Sequence, residues 1–128
     1  MKQLIIEGSR IHDIRSFYDE INRVFMAAED WKLGPSLDAF NDLLYGGFGA
    51  IGNNEPVELI WNNIEACKAA LGYETTKRYY EEKLLPGSPF NKIYFQEKLE
   101  ELNQGKGQTY FDILMEIIAG HPNITLRS

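Results

Sequence analysis

The clearest candidates for chemistry in this sequence are two carboxylates, Asp38 and Asp42, which lie four residues apart. Side chains at this spacing share one face of an α-helix. Paired carboxylates can act as general acid and base, as in glycoside hydrolysis, or they can bind a positively charged partner. Like charges at this spacing cost an isolated helix about 0.2–0.5 kcal/mol, which raises the question of what positive group the pair meets.

A short helix would position this pair. A Gly-Pro turn precedes it, Ser36 is a typical N-cap residue, and the glycine cluster that starts at Gly46 ends it. Asp38 falls in the first turn, where the helix dipole favours a negative charge by about 0.3–1 kcal/mol, but this does not explain Asp42. The apolar residues are expected on the opposite side of the helix: Leu37, Phe40, Leu43 and Leu44.

Other signs of catalysis are weak. Asp112 and Glu116 form a second pair with the same spacing, but each pair taken alone is more typical of a solvated helix face. The two histidines, His12 and His121, show no metal-ligand spacing. The single cysteine, Cys67, excludes an internal disulfide and lies on an apolar helical stripe, as a core residue would. We therefore expect no catalytic residue, no metal and no cofactor.

Negative charge is concentrated in one part of the chain. The net charge is −6, and residues 29–58 hold six acidic side chains but only one basic one, Lys32. Such a field disfavours direct contact with nucleic acid or a membrane surface and favours a basic protein partner. We see no signal peptide and no run of about 18 apolar residues that could span a membrane, so we expect a cytoplasmic location.

Short strands alternate with helices along the chain, which predicts an α/β fold with a small, three-stranded, mostly parallel sheet packed with helices. The predicted strands are residues 4–6, 56–61 and 124–126. The predicted helices are residues 14–28 after the cap Asp13, 37–44, 64–71 after Asn62 or Asn63, 76–84, 91–102 and 110–119. The length of 128 residues and the absence of repeats indicate a single domain, residues 1–128.

The segment from Gly34 to Leu44, Gly-Pro-Ser-Leu-Asp-Ala-Phe-Asn-Asp-Leu-Leu, resembles the barstar family of ribonuclease inhibitors. The family pattern is a glycine, two residues and then Leu-Asp-Ala-Leu-Trp-Asp. The agreement extends to the first strand, which ends in Gly8, to the second strand and the helix after it, and to the last helix and the C-terminal strand. The resemblance covers about residues 3–72 and 108–128 and implies a barstar-like fold.

The resemblance also implies an inhibitor and not an enzyme. In the family, the loop before the second helix and the helix itself plug the ribonuclease active site, and carboxylates replace the RNA phosphates. By motif position, Asp42 matches the aspartate that dominates binding, and Asp38 matches the functional aspartate before it. Glu116 matches an acidic residue of the last helix, and Gly34 matches the loop glycine. The expected partner is a basic ribonuclease or RNase toxin, against which the chain would act as an immunity protein.

Several positions depart from the family pattern. The two tyrosines before the loop glycine are Lys32 and Leu33 here, and the neighbouring Trp31 is the candidate for the aromatic contact. The tryptophan between the aspartates is Asn41, and a later tryptophan is Gly47. These changes favour a ribonuclease other than barnase as the target. The candidate partner-binding residues are Trp31, Lys32, Leu33, Gly34, Asp38, Asn41, Asp42 and Glu116.

Residues 73–108 have no counterpart of this length in barstar, and their pattern indicates a largely helical insertion. The segment is rich in aromatic residues: Tyr73, Tyr79, Tyr80, Phe90, Tyr94 and Phe95. It either packs a small core of its own or adds a contact surface for a partner or for self-association, and the oligomeric state stays open.

Two other functions stay open beside ribonuclease inhibition. The acidic helix could belong to a non-inhibitory module that binds some other basic protein. The carboxylate pairs could also serve a small hydrolase, although short helices of a small domain are an unusual place for such a site.

Overall fold

The fold is built on a parallel sheet of three strands in the order β1-β2-β3. The computed structural model describes residues 1–128, and its strands are β1 (Lys2–Glu7), β2 (Val57–Asn62) and β3 (Ile124–Arg127). Leu4 pairs with Leu59, and Leu59 pairs with Leu126, so apolar positions of the three strands are in register. Both strand pairs are parallel, which confirms the predicted α/β class and makes the sheet entirely parallel.

Six helices connect and cover the strands. They are α1 (Ile14–Phe25), α2 (Leu37–Tyr45), α3 (Ile64–Ala70), α4 (Tyr73–Lys83), α5 (Lys92–Asn103) and α6 (Tyr110–Ala119). The predicted caps of α1 and α2 are confirmed, because Asp13 and Ser36 each accept a first-turn backbone N–H, at 2.7 and 3.1 Å. Asn63 occupies the predicted N-cap position of α3, but its side chain caps no backbone N–H: it has a left-handed backbone (φ 55°) and donates to Glu7 at 2.8 Å. None of the helices combines the length and apolar character needed to span a membrane.

Aromatic side chains join the sheet to the helices in the core. Phe17 of α1 stacks on Trp61 of β2 with 6.0 Å between ring centroids, and it meets Phe40 of α2 edge-on at 5.4 Å. Trp61 also contacts Phe111 of α6 and donates a hydrogen bond to Cys67, which is buried as predicted. Burying one side chain of this size stabilises the fold by about 1.5–3 kcal/mol, so the core fixes α2 firmly from its inner side.

Helices α4 and α5 fill most of the predicted insertion and pack on each other. Tyr80 and Leu102 are buried there, outside the main core, and the Tyr80 ring lies 6.1 Å from that of Phe95. Tyr79 meets Tyr110 of α6 edge-on at 5.2 Å. The segment therefore has a small aromatic core of its own that is joined to the main core through α6.

Candidate functional site

The outer face of α2 carries Asp38, Asp42 and Tyr45, which are all exposed. The side chains on the opposite side are buried or half-buried: Leu37, Phe40, Leu43 and Leu44. Neither aspartate takes part in an ion pair, and no hydrogen bond reaches either carboxylate. The four-residue spacing thus places both carboxylates on one outer surface, which we call the acidic face, and nothing within the protein neutralises them.

Ion pairs elsewhere concentrate the negative charge around α2. Glu55 pairs with Lys2 at 3.0 Å, and Glu58 pairs with Arg127 at 2.7 Å, both beside the sheet. The acidic residues of segment 29–58 that take part in no ion pair belong to α2 and the loop before it: Glu29, Asp30, Asp38 and Asp42. The negative field noted in the sequence is therefore centred on α2 and its preceding loop.

The loop before α2 is fixed by Asn22 of α1, a residue that sequence reasoning missed. Its side chain accepts a hydrogen bond from Leu33 N at 2.7 Å and donates one to Leu33 O at 3.1 Å. The Leu33 side chain is 6% exposed and packs in the main core. The Leu33 side chain is therefore not offered to a partner at the surface of the free protein, because an apolar side chain gains more from burial than from exposure, and the predicted contact of Leu33 with a partner stays a prediction.

The other predicted loop residues are accessible. Trp31 is 47% exposed, and its ring lies 5.5 Å from that of Phe48. Lys32 is exposed and takes part in no ion pair. Gly34 is exposed, and a Cβ atom added there would meet nothing within 4 Å, so the free protein does not require glycine at this position. Contact between these three residues and a partner stays a prediction.

The end of α2 is set by Gly46. Its φ of 91° belongs to a region that favours glycine, and a Cβ atom there would lie 2.0 Å from Gly52 O. Only glycine fits this position, which confirms the predicted helix stop. The acidic face is consequently held between a hydrogen-bonded loop and a sterically fixed turn.

His121 anchors α2 to the segment between α6 and β3. Its Nε2 lies 2.7 Å from Asn41 Oδ1, and its ring meets Tyr45 edge-on at 4.5 Å. Burial lowers the pKa of His121, which favours the neutral imidazole. Because an amide oxygen can only accept, the contact to Asn41 Oδ1 requires the tautomer with the proton on Nε2. Asn41, predicted to contact a partner, is half-buried and uses its side-chain oxygen inside the protein. No sequence signal pointed to this pair, whose members are 80 residues apart.

Glu116 is exposed on α6 and lies on the wall of a cleft of about 660 Å³ between α2, α5 and α6. Gln108 donates to Glu116 Oε2 at 2.5 Å, whereas Asp38 and Asp42 do not line the cleft. The structure places the two aspartates on one helix face, and a contribution of Glu116 to the same binding surface stays a prediction. Three tyrosines also line this space, which we call the tyrosine cleft: Tyr45, Tyr80 and Tyr94.

The arrangement suits binding better than catalysis. Asp112, the partner of Glu116 in the second carboxylate pair, accepts a hydrogen bond from Thr109 N at 3.1 Å and belongs to the capping box of α6. No group of three or more His, Cys, Asp or Glu side chains is placed to hold a metal ion. Exposed, unpaired carboxylates on a rigid helix are instead suited to accept charge-assisted hydrogen bonds from lysine or arginine side chains of another molecule.

Comparison with known families agrees with this geometry. Residues 1–81 match the family model described as Barstar (barnase inhibitor). The chain belongs to the Barstar family. No curated protein matches it.

The Barstar match contains β1, α1, the loop, α2, β2 and α3, and it ends inside α4. The acidic face therefore lies wholly within the shared part. Residues of the tyrosine cleft such as Tyr94, Glu116 and His121 lie beyond the match, as does the C-terminal stretch that the sequence likened to barstar. The family is one of ribonuclease inhibitors, which makes inhibition, not catalysis, its characteristic activity.

Proposed function

We propose that this Barstar-family protein is a stoichiometric, immunity-type inhibitor of a basic ribonuclease. In this proposal, α2 and the loop before it cover the ribonuclease active site, and the carboxylates of Asp38 and Asp42 take the places of RNA phosphates. The single observation that carries the proposal is the pair of exposed aspartates with no ion pair or hydrogen bond, on a helix whose other side is buried in the core. The family membership supports the same function.

Rigidity makes the acidic face an effective phosphate mimic. The core, the Asn22 hydrogen bonds and the Gly46 turn hold α2 in one place before binding. Little conformational entropy is then lost when the partner arrives. A nuclease active site is a preformed cationic pocket, and close charge pairs between barnase and barstar couple by about 1.5–7 kcal/mol.

Two loop residues argue for a target other than barnase. Lys32 places an exposed, unpaired cation in the loop before α2, which would repel the lysine and arginine side chains of a ribonuclease active site. A matching ribonuclease would place an acidic or carbonyl group opposite Lys32. Trp31 offers a partly exposed ring that can stack against the partner.

The test is a titration of the purified protein against a panel of basic ribonucleases that includes barnase, with RNA cleavage as the readout. We expect one member to be inhibited at a one-to-one ratio, and Asp42→Ala and Asp38→Ala to lose this inhibition. The control is Glu65→Ala, which removes one exposed carboxylate from α3, away from α2. Each variant is checked for its fold by circular dichroism.

The result that contradicts the assigned face is unchanged inhibition in both aspartate variants. If no ribonuclease is inhibited and a pull-down yields a basic partner without nuclease activity, the protein is a non-inhibitory interaction module instead. Turnover of RNA or of glycosides by the protein alone would contradict both.

A further inference from the structure

The tyrosine cleft has the form of a binding site for a neutral group. Its volume of about 660 Å³ lies in the range of pockets that hold ligands of several hundred daltons. The half-buried side chains of Leu37, Ile113 and Ile117 supply apolar surface. Rings of the three tyrosines supply further apolar area and carry hydroxyls that can form hydrogen bonds.

Charge in the cleft is balanced, in contrast to the acidic face. Lys98 and Lys106 oppose Glu101 and Glu116 along the walls. Lys98 lies 3.9 Å from Glu101, and Gln108 donates to Glu116. A charged side chain would meet both an attractive and a repulsive group here, whereas an apolar or aromatic side chain can pack against the tyrosine rings and the side chains of Leu37, Ile113 and Ile117.

The cleft is continuous with the acidic face through one residue. Tyr45 is 55% exposed on the outer side of α2, and it also lines the cleft. A protein that covers Asp42 from outside therefore reaches the mouth of the cleft within one helical turn. The same contact surface can include both regions.

We propose that the tyrosine cleft receives an apolar or aromatic side chain of the ribonuclease whose active site α2 covers. This inference rests on the proposed function and adds a specificity pocket to it. The occupant projects from a loop at the rim of the enzyme's active site, since the cleft lies beside the acidic face and not under it. Charge on α2 then selects ribonucleases as a class, and the shape of the cleft selects one member.

Two of the three tyrosines that line the cleft have ring contacts of their own in the free protein. The Tyr94 ring meets Phe95 edge-on at 5.0 Å, and Lys98 Nζ lies 5.5 Å from the Tyr94 centroid. Tyr45 rests edge-on against His121 at 4.5 Å. Tyrosine offers a large contact area with only two rotatable side-chain bonds, so little entropy is lost when it holds a ligand.

The structure provides a way to plug the cleft without disturbing the core. Gly120 lines the cleft and is exposed, and an added Cβ would make only ordinary contacts, at 3.4 Å to Ile117 O and 3.7 Å to Glu116 O. Gly120→Trp places a large ring in this space. Ala119→Trp is the matched control, because Ala119 is the exposed neighbour and does not line the cleft. Tyr94→Ala removes one of the three tyrosine rings that line the cleft.

The experiment measures association and dissociation rates of these three variants with the ribonuclease that the wild-type protein inhibits. Loss of one buried apolar side chain corresponds to about 10- to 100-fold weaker binding. We expect Gly120→Trp and Tyr94→Ala to dissociate faster by this factor, with association rates and salt dependence unchanged. Ala119→Trp should behave as the wild type.

Three outcomes would overturn the proposal, and they are distinguishable. If Asp42→Ala loses inhibition but both cleft variants match Ala119→Trp, the cleft is empty in the complex and the proposed function stands. If sedimentation shows a wild-type dimer that Gly120→Trp dissociates, the cleft holds a second copy of this chain. If the wild-type protein inhibits no ribonuclease, the proposed function fails, and the assigned occupant fails with it.

Discussion

The acidic face and the tyrosine cleft lie side by side, yet they differ in charge, in shape and in their place in the chain. The acidic face is convex, carries two unpaired carboxylates and belongs to the part that matches the Barstar family. The cleft is concave, balances two lysines against two glutamates and is lined largely by residues after position 81. Only Tyr45 and its helix connect them.

Under the proposed function, this difference predicts two separate contributions to the recognition of a ribonuclease. Uncompensated charge acts over distances of about 8–10 Å in physiological salt and mainly raises the rate of encounter. Shape and apolar contact act only after docking and mainly slow dissociation.

The largest effect should follow from reversing the charge of the acidic face. For the double variant Asp38→Lys with Asp42→Lys, we expect affinity for the target ribonuclease to fall about 1000-fold or more, because two attractive contacts become repulsive. The control is the double reversal Glu65→Lys with Glu74→Lys, which changes the net charge equally at exposed sites on α3 and α4. Surface plasmon resonance gives both affinities. Equal losses in the two variants would mean that total charge matters and that the face does not.

Most of the acidic face could be predicted from the sequence, because it depends on local rules. Helical spacing places Asp38 and Asp42 on one side, Ser36 caps the helix, and the glycines end it. Each of these signals lies within about ten residues of the pair it positions. The same local rules gave the sheet and all six helices, with shifts of a few residues at the ends.

The cleft could not be predicted, because its parts are distant in sequence. Asn41 meets His121 across 80 residues, and Tyr45 shares the cleft with Tyr94 and Lys106. The burial of Leu33 was missed for the same reason, since only the folded chain shows that its side chain reaches the core. Local patterns fix the element that carries a side chain, but tertiary packing decides which side chains become neighbours.

The second largest effect should come from His121, which contacts Asn41 and Tyr45 of α2. His121→Ala removes a buried ring and its hydrogen bond to Asn41, which we expect to lower the free energy of unfolding by about 2–4 kcal/mol. Urea unfolding followed by tryptophan fluorescence measures the loss. His12→Ala is the control, because His12 is exposed and its side chain makes no hydrogen bond. Equal stabilities of the two variants would show that α2 does not depend on this anchor.

A smaller effect, the dependence of the association rate on salt, should distinguish the acidic face from the tyrosine cleft. Raising ionic strength from 50 to 500 mM should slow association of the wild-type protein about tenfold or more, because screening weakens electrostatic steering. Asp42→Asn should reduce this dependence, whereas Tyr94→Phe should keep it. Stopped-flow association rates provide the measurement. If Tyr94→Phe, and not Asp42→Asn, showed the weaker dependence of the association rate on salt, electrostatic steering would not come from the acidic face.

The smallest effect should be a loss of stability in mild acid. Burial holds the pKa of His121 below its usual value, so the unfolded chain, with a histidine pKa of about 6.5, binds a proton that the folded chain does not. The contribution of neutral, buried His121 to the free energy of unfolding is therefore fully present above about pH 6.5. It falls as the pH drops below this value, by at most about 1.4 kcal/mol per pH unit. The carboxyl groups whose pKa is lowered in the folded protein, among them Asp13 and Glu20, reduce the free energy of unfolding only when the pH falls below about 4.5.

Thermal unfolding between pH 7.5 and 5 isolates this contribution. The melting temperature of the wild-type protein should fall with acidification, and that of His121→Gln should change less over the same range. His12→Gln controls for the other histidine. Parallel curves for the wild type and His121→Gln would mean that the imidazole ionises equally well folded and unfolded. His121 would then stabilise α2 through packing and its hydrogen bond to Asn41, without making stability depend on pH.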